Sequence, residues 1–454
     1  MKYIIIVLFL SFGFSSAKVV TYKVKKGDSF SKIASKFLGK SKFIHTINFV
    51  KEIKKENSLK RLPKVGKDLS ITLLDKSLKT KRLKKPEIVK ALYFPLGSAT
   101  STKFLKRVKT YKKAGINTVV IDIKTMSGII TIPFKNKLKS EIKGKKHWRS
   151  LNLRKLLYYL HQENIYVIVR MVAFHDIIMA DAKKEFRVFK KGKHRKWVNP
   201  ENEEVQNYLL ALVDRVLKYP IDELQLDYIR FPAKGAKSCK TFDRSKVILN
   251  FLKKVHKKTK KANILLGVDV FGIALWSGRA DICNLGQNLR RMANYVDVIS
   301  PMIYPSHFSS PFRNVENPGE SPKEMIAMSM RRVEKLFKNK EVEIRPYLQG
   351  FRHGSKNYDE NFVINQIDAL KGRGYIFWSA VGKYNSVAKG LYLIDKRDRK
   401  KNRKKDKLNN KNIFNNKGFK KSNIKVKQEI KDGSINQKSN HLDQIMNDIL
   451  EKHE

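Results

Sequence analysis

Gln225-Leu226-Asp227-Tyr228-Ile229-Arg230-Phe231-Pro232 is the stretch on which the reading of this chain turns. Leu224 and Leu226 flank Gln225 in the pattern of a short buried strand, and Pro232 stops any continuing element. Asp227 therefore falls where a strand ends, with Tyr228 and Arg230 beside it. The bland alternative is a buried aspartate that caps the following segment. Polar residues accumulating at other strand ends favour a site instead.

Outward from that strand, Pro86 to Asp395 alternates strand and helix patterns. Strands are expected at Val89–Phe94, Thr118–Lys124, Tyr166–Val172, Glu223–Asp227, Ile264–Val270, Val296–Met302, Glu343–Leu348 and Tyr375–Trp378. Amphipathic helical stretches fall between them, at Thr102–Ala114, Asn152–Glu163, Glu203–Lys218, Ser245–Lys260, Gly286–Asn294, Pro322–Lys338 and Asn361–Lys371. This count and length predict an α/β fold, the (β/α)8 or TIM barrel. An open doubly wound sheet is the alternative, but no glycine-rich phosphate turn follows the first strand.

In such a barrel the carboxyl ends of the strands share one rim. Asp122 and Lys124 fall there, then Arg170 with His175 and Asp176, then Asp227, Tyr228 and Arg230. Asp269, Tyr304, Ser306, His307, Arg345, Tyr347, Gln349 and Trp378 complete the set. Carboxylates with arginines and aromatic rings suit a sugar: ring faces stack on pyranoses, and acids handle hydroxyls and the glycosidic oxygen. Asp122 and Arg170 can also be read as an ion pair that only holds the barrel, and Asp297 as structural.

Several ordered stretches carry a family likeness. They are Asn117-Thr-Val-Val-Ile-Asp122-Ile-Lys124 with Gly128, Ile168-Val-Arg170-Met-Val-Ala-Phe174-His-Asp176, Trp197-Val-Asn199-Pro200, the opening stretch, Asp269-Val-Phe-Gly272, Tyr295 to His307, and Ile344-Arg345-Pro346-Tyr-Leu348-Gln349. Over Ile88 to Tyr384 the chain resembles the glycoside hydrolase barrels of exported bacterial proteins, a family long classed as a domain of unknown function. Its glycosidase activity is itself inferred from barrel similarity. Gly350 stands where an acid is expected and Ser379 where an asparagine is.

The implied chemistry is glycoside hydrolysis by two carboxyl groups. Asp227 is the expected nucleophile or electrostatic stabiliser, kept ionised through Arg230 and Tyr228, and Asp269 the general acid/base. Asp122 is the reserve for either role. Lys124, Arg170, Tyr228, Arg230, Tyr304, His307, Arg345, Gln349 and Trp378 are the expected substrate contacts. No cofactor or metal is called for. Two rival classes are a non-catalytic wall-binding protein and a metal-dependent polysaccharide deacetylase, which would recruit His175, Asp176 and His307.

Residues 20–74 form a smaller unit. A strand at Thr21–Lys25, a turn at Gly27-Asp28, helices at Ser29–Leu38 and about Lys42–Lys51, and a strand at Asp68–Leu73 are expected, with Asp28 as N-cap. Tyr22-Lys-Val-Lys-Lys-Gly27-Asp28-Ser29, Ile33-Ala34, Asn48 and Leu62-Pro-Lys-Val-Gly-Lys-Asp-Leu69 resemble a LysM module. That resemblance implies binding of N-acetylglucosamine-containing glycans such as peptidoglycan or chitin. The groove would lie between Gly27, Asp28, Ser29 and Phe30 on one side and Lys64 to Lys67 on the other. A Lys-rich linker, Asp75 to Lys85, follows.

The chain carries 97 Lys and Arg against 41 Asp and Glu, a net charge of +56. This predicts attraction to polyanions such as acidic wall polymers or anionic surfaces. No nucleic-acid motif supports that partner. Met1-Lys2-Tyr3, an apolar run from Ile4 to Phe14, and Ser15-Ser16-Ala17 read as a signal peptide cut after Ala17, too short to span a bilayer. An exported protein is expected, in the periplasm, cell wall or extracellular space. Cys239 and Cys283 follow strands four and five and are expected to pair there. The tail, Lys396 to Glu454, is rich in Lys and Asn and reads as disordered until a short helix at His441–Lys452.

Overall fold

A computed structural model describes residues 17–142, 151–188, 196–232 and 243–416. The expected signal peptide, all but its last residue, lies outside them. So does the tail beyond Asn416, with its expected terminal helix. Among the described residues no helix is long and apolar enough to cross a membrane.

The small unit pairs β1 (Ala17–Lys23) antiparallel with β2 (Asp68–Leu74), and helices Phe30–Phe37 and Thr46–Glu56 pack between them in sequence. Tyr22, Ile33, Ala34, Phe49, Ile53, Leu69 and Ile71 form its core. The N-cap of the first helix is Ser29, whose hydroxyl accepts the Lys32 N–H at 3.2 Å, and not Asp28. Asp28 instead closes the turn before it: its Oδ2 accepts the Lys25 N–H at 2.8 Å and the Tyr22 hydroxyl at 2.9 Å.

The barrel strands are β3 (Lys90–Phe94), β4 (Thr118–Lys124), β5 (Tyr166–Val172), β6 (Glu223–Asp227), β7 (Leu265–Phe271), β8 (Val298–Ile303), β9 (Glu343–Ile344), β10 (Tyr347–Gln349) and β11 (Tyr375–Trp378). All neighbours are parallel, and β10 pairs with both β11 and β8, which closes the ring. The strand expected at Glu343–Leu348 is thus two short pieces interrupted at Arg345-Pro346. Pro346 has no N–H to give a ladder. Together β9 and β10 make one stave of the eight-stranded barrel. Outward-facing Val119, Ile121, Ile123, Val167 and Val169 join the helices in one large apolar cluster. Burying each such side chain contributes roughly 1.5–3 kcal/mol.

The inward positions form layers, because side chains on a strand alternate in direction. On β6 the inward residues are Glu223, Gln225 and Asp227. At the closed end, Arg345 donates to both Glu223 oxygens at 2.9 and 3.1 Å and to Glu343 at 2.9 Å. In the middle, the Tyr347 hydroxyl donates to Gln225 at 2.8 Å, and Gln225 donates to Ser300 at 3.3 Å. The carboxylates of the mouth form the third layer.

The linker is not a free tether. Leu78 is buried, the Leu83 N–H donates to Asp222 at 2.7 Å, and Arg82 holds the carbonyls of Ala262 and Asn263 at 2.7 and 2.8 Å. Thr80, His161 and Asp222 form a chain of contacts at 3.0 and 2.9 Å, and Lys85 pairs with Glu343 at 2.6 Å. Lys155 and Tyr159 reach across to carbonyls of the small unit: Lys155 to Phe43 at 2.9 Å, Tyr159 to Lys42 at 2.6 Å. The last helix, Asn385–Asn416, carries regular structure past Lys396, where the tail was expected to begin. Its start buries Val387, Ala388 and Leu391, and Arg397 then pairs with Asp368 at 2.7 and 2.9 Å.

Candidate active site

The mouth of the barrel opens into a cavity of about 440 Å³. Asp122, Arg170, Asp227, Tyr228, Arg230, Asp269, Tyr304 and Trp378, all expected from the sequence, line it. Arg170 is its hub. Its Nη1 donates to Asp122 at 2.6 Å, its Nη2 to Asp227, and its Nε lies 3.3 Å from Asp269 Oδ2. Register explains the convergence, since Asp122 sits beside Arg170 on β4 and β5, and Val172 beside Asp227 on β5 and β6. Burial works against the Arg170 charge, but Asp122 and Asp227 more than offset this and raise its pKa well above the ordinary value.

The carboxylates differ in surroundings. Asp227 Oδ1 accepts its neighbour's backbone N–H, from Tyr228, at 2.5 Å. Tyr228 has φ +51°, a left-handed conformation that costs energy in a bulky residue and clusters at functional sites. Asp269 is 1% exposed, and its Oδ1 has no hydrogen-bond partner. Burial first, then the charge of Asp227, pushes the Asp269 pKa well above the ordinary carboxyl range. Asp122 is raised by burial too, although Arg170 and the Tyr93 hydroxyl, 2.6 Å away, pull against the shift. The buried Gln287 Oε1 in the same cavity also lacks a partner.

Rings wall the site. Trp378 stacks on Tyr93 at 6.1 Å between centroids and tilts against Tyr304 at 5.8 Å. Arg230 does not bond Asp227, contrary to the expected support for that carboxylate. Its guanidinium carbon lies 4.0 Å from the Phe271 ring centroid and 4.5 Å from that of Trp197, and its Nη1 donates to the Phe231 carbonyl at 2.9 Å. Burial pulls the Arg230 pKa down to about 10.

Four expected contacts do not line this cavity. Lys124 is fully buried and pairs with Asp176 at 2.9 Å. In a regular strand it would face the lumen with Asp122, but a register shift between them sets Lys124 beside Met171, an outward residue. Gly128 makes room for that pair: its φ is +90°, and a Cβ there would come 2.1 Å from Asp176 Oδ1. Arg345 belongs to the closed end of the barrel. Gln349 braces loops, donating to the Phe351 carbonyl at 2.9 Å and the Ser355 hydroxyl at 3.1 Å. His307 contacts the Ser306 hydroxyl at 3.1 Å and packs edge-on against Tyr304.

Tyr347, read at the rim from the sequence, lines the cavity as well, whereas Tyr93, Phe271 and Gln287 line it without having been assigned to it from the sequence. Tyr93 was findable, since it lies on the inward parity of β3 two residues after Ala91. Gln287 follows a loop and carries no such signal. Gly350, where an acid is expected, has no space for a side chain: a Cβ would meet the Trp378 carbonyl at 2.7 Å.

The deacetylase set does not assemble. Asp176 is held by Lys124, and His175 Nδ1 lies 2.8 Å from the Met126 carbonyl. Among the described residues no three His, Cys, Asp or Glu side chains gather as metal ligands. Cys283 is disulfide-bonded, and Cys239, the only other cysteine, lies outside the described residues. In the small unit, Val24 bonds both Lys67 and Gly66 at 2.9 Å, which sets the two expected groove loops side by side. Gly27 forms the turn at φ +81°, and Phe30 is buried in the core with the Lys54 ammonium over its ring.

A closed parallel barrel with acids, an arginine hub and ring walls at its mouth has the architecture of a carbohydrate-cleaving enzyme. The chain belongs to the family DUF4015, described as "Putative glycosyl hydrolase domain", whose pattern matches residues 91–384. Among curated proteins, no relative matches. Similar solved structures include a hypothetical protein from Ruminiclostridium thermocellum ATCC 27405, 28% identical over 39% of this chain and 97% of that one, TM-score 0.35. The spore cortex-lytic enzyme SleL of Bacillus cereus is 11% identical over 82% of this chain and 85% of its own, TM-score 0.42. The endo-1,4-beta-mannanase of Rhizomucor miehei is 12% identical over 66% and 89%, TM-score 0.46.

Proposed function

We propose that the barrel hydrolyses a cell-wall or amino-sugar polysaccharide, with Asp269 as general acid/base and Asp227 as nucleophile or electrostatic stabiliser. The observation that carries this is the state of Asp269: a buried carboxyl in the cavity, raised in pKa, with one oxygen unpartnered. A carboxyl that stays protonated is the donor a departing glycosidic oxygen needs. Its proton passes to that oxygen as the bond to the anomeric carbon breaks. As that bond breaks, Asp227, its oxygens fixed by Arg170 and the Tyr228 N–H, bonds the anomeric carbon or stabilises its positive charge; water then attacks that carbon, gives its proton to the ionised Asp269 and, where the ester has formed, releases Asp227. A carboxyl separation of about 5–5.5 Å belongs to retention and about 6.5–9.5 Å to inversion. Tyr93, Trp378 and Tyr304 offer faces for pyranose rings.

The N-terminal unit, in this reading, is a LysM module that holds the same class of glycan, and the protein works after export. A non-catalytic glycan-binding role is the second reading, because a purely structural ion cluster would also tie three aspartates to one arginine. Release of reducing ends from peptidoglycan and from chitin-type polymers separates the two. Turnover that disappears in Asp269→Asn supports hydrolysis, whereas glycan binding without any turnover supports the second reading.

A further inference from the structure

Among the described residues, the charges in and below the cavity are matched with one exception. Arg170 has three aspartates, Lys124 has Asp176, and Arg345 has Glu223 and Glu343. Arg230 is 7% exposed, lines the cavity, and forms no ion pair with any described carboxylate. Its hydrogen bond goes to the carbonyl of the next residue, Phe231. Asp227 is committed to Arg170 and the Tyr228 N–H. Residues 143–150, 189–195 and 233–242 contain no Asp or Glu.

A buried cation without a counter-ion is costly, and the rings of Phe271 and Trp197 offset only part of that cost. The rings also hold the guanidinium plane in place. A planar fork fixed in this way at a cavity wall is matched to a carboxylate, which it binds through two parallel hydrogen bonds.

We propose that Arg230 receives a carboxylate carried by the sugar, so that the substrate is an acidic glycan. This rests on the reading of the cavity as a glycan-cleaving site and names the class of its substrate. A hexuronate and an amino sugar bearing a carboxyalkyl ether both present that group. Arg230 lines the same cavity as Asp227 and Asp269, so the acidic group belongs to a sugar at or next to the scissile bond.

The test uses the full chain carrying Asp269→Asn, so that ligand is not consumed, and reads dissociation constants by calorimetry. Four probes are compared: chitotetraose, chitotetraose carboxylated at its primary alcohols, the methyl ester of that acid, and a peptide-free tetrasaccharide of alternating N-acetylglucosamine and N-acetylmuramic acid. One of the two acids should bind about ten- to a hundredfold more tightly than the neutral probes, and which one does so identifies the source of the carboxylate. Adding Arg230→Gln should bring that ratio close to one, and Arg230→Lys should restore part of it. Equal binding of the acid and its ester overturns the inference, as does a preference that survives in folded Arg230→Gln. Cleavage of chitotetraose by the unmutated protein without any acidic preference overturns this inference alone and leaves the hydrolase reading standing. Failure of all four sugars to bind overturns both. The acid-to-ester ratio needs no Arg230 variant, so it decides even if Arg230→Gln does not fold.

Discussion

Arg170 Nε lies 3.3 Å from Asp269 Oδ2, while the other oxygen of that carboxyl is buried without a partner. One aspartate is thus positioned by a shared guanidinium yet keeps an oxygen free for a ligand. Replacing it by asparagine preserves the shape and removes the transferable proton. Asp269→Asn should lower kcat on polysaccharide by about 10²–10⁴-fold. The loss should be much smaller on a dinitrophenyl glycoside, whose leaving group needs no proton. Asp227→Asn should lower turnover on both. Equal losses of Asp269→Asn on the two substrates would move the acid role elsewhere, first to Asp122.

The pH profile follows from the direction of the Asp269 shift. Its folded pKa is raised, so the protonated form persists above the ordinary carboxyl range. Activity that requires this form is present below the folded pKa and lost as pH rises through it. The same sign holds for stability: the benefit of keeping Asp269 neutral is complete below its unfolded pKa and disappears as pH rises through the folded one. The alkaline limb of kcat/KM should therefore be absent from the residual activity of Asp269→Asn. An unchanged limb would assign it to another group.

Arg345 and Glu223 should behave differently, because they lie at the closed end of the barrel, both fully buried. Arg345→Met leaves Glu223 buried without its partner, which should cost about 3–5 kcal/mol of stability by denaturant unfolding. Protein that remains folded should keep the KM of the unmutated enzyme. A raised KM with normal stability would restore Arg345 to the substrate site.

Removal of the N-terminal unit through Leu74 should weaken pull-down by insoluble peptidoglycan or chitin and spare activity on soluble oligosaccharides. The linker keeps its own contacts with Asp222, Ala262, Asn263 and Glu343 in such a truncation. Undiminished pull-down would place glycan retention in the barrel or the tail.

The barrel was legible because its strands are apolar runs of the right length: Thr118–Lys124, Tyr166–Val172, Glu223–Asp227 and Tyr375–Trp378 stand where the sequence puts them. Asp122, Arg170, Asp227 and Asp269 were legible as residues of the mouth because strand ends can be read from such runs. Direction within the ring was harder. Lys124 and Asp122 have the same parity, and only the register shift between them turns Lys124 away. Arg345 belongs to the closed end because the strand breaks at Pro346, so its distance from the rim could not be counted through an unbroken run. Arg230 was read as a partner of Asp227 from sequence nearness, whereas the left-handed turn at Tyr228 separates them.

The clamped linker sets what the two folded parts can reach. Were residues 75–85 a flexible coil, its ends would wander over a span on the order of 18 Å, and the barrel would sample the glycan around an anchored unit. Held by Arg82, Leu83 and Lys85, the segment acts as a bracket of fixed offset. Were the small unit to hold glycan, what reached the mouth would depend on the spacing of strands in the polymer and very little on the length of the connection. A polymer whose strands lie at that offset would be met in register, and one with a different spacing would be gripped without being presented to the mouth.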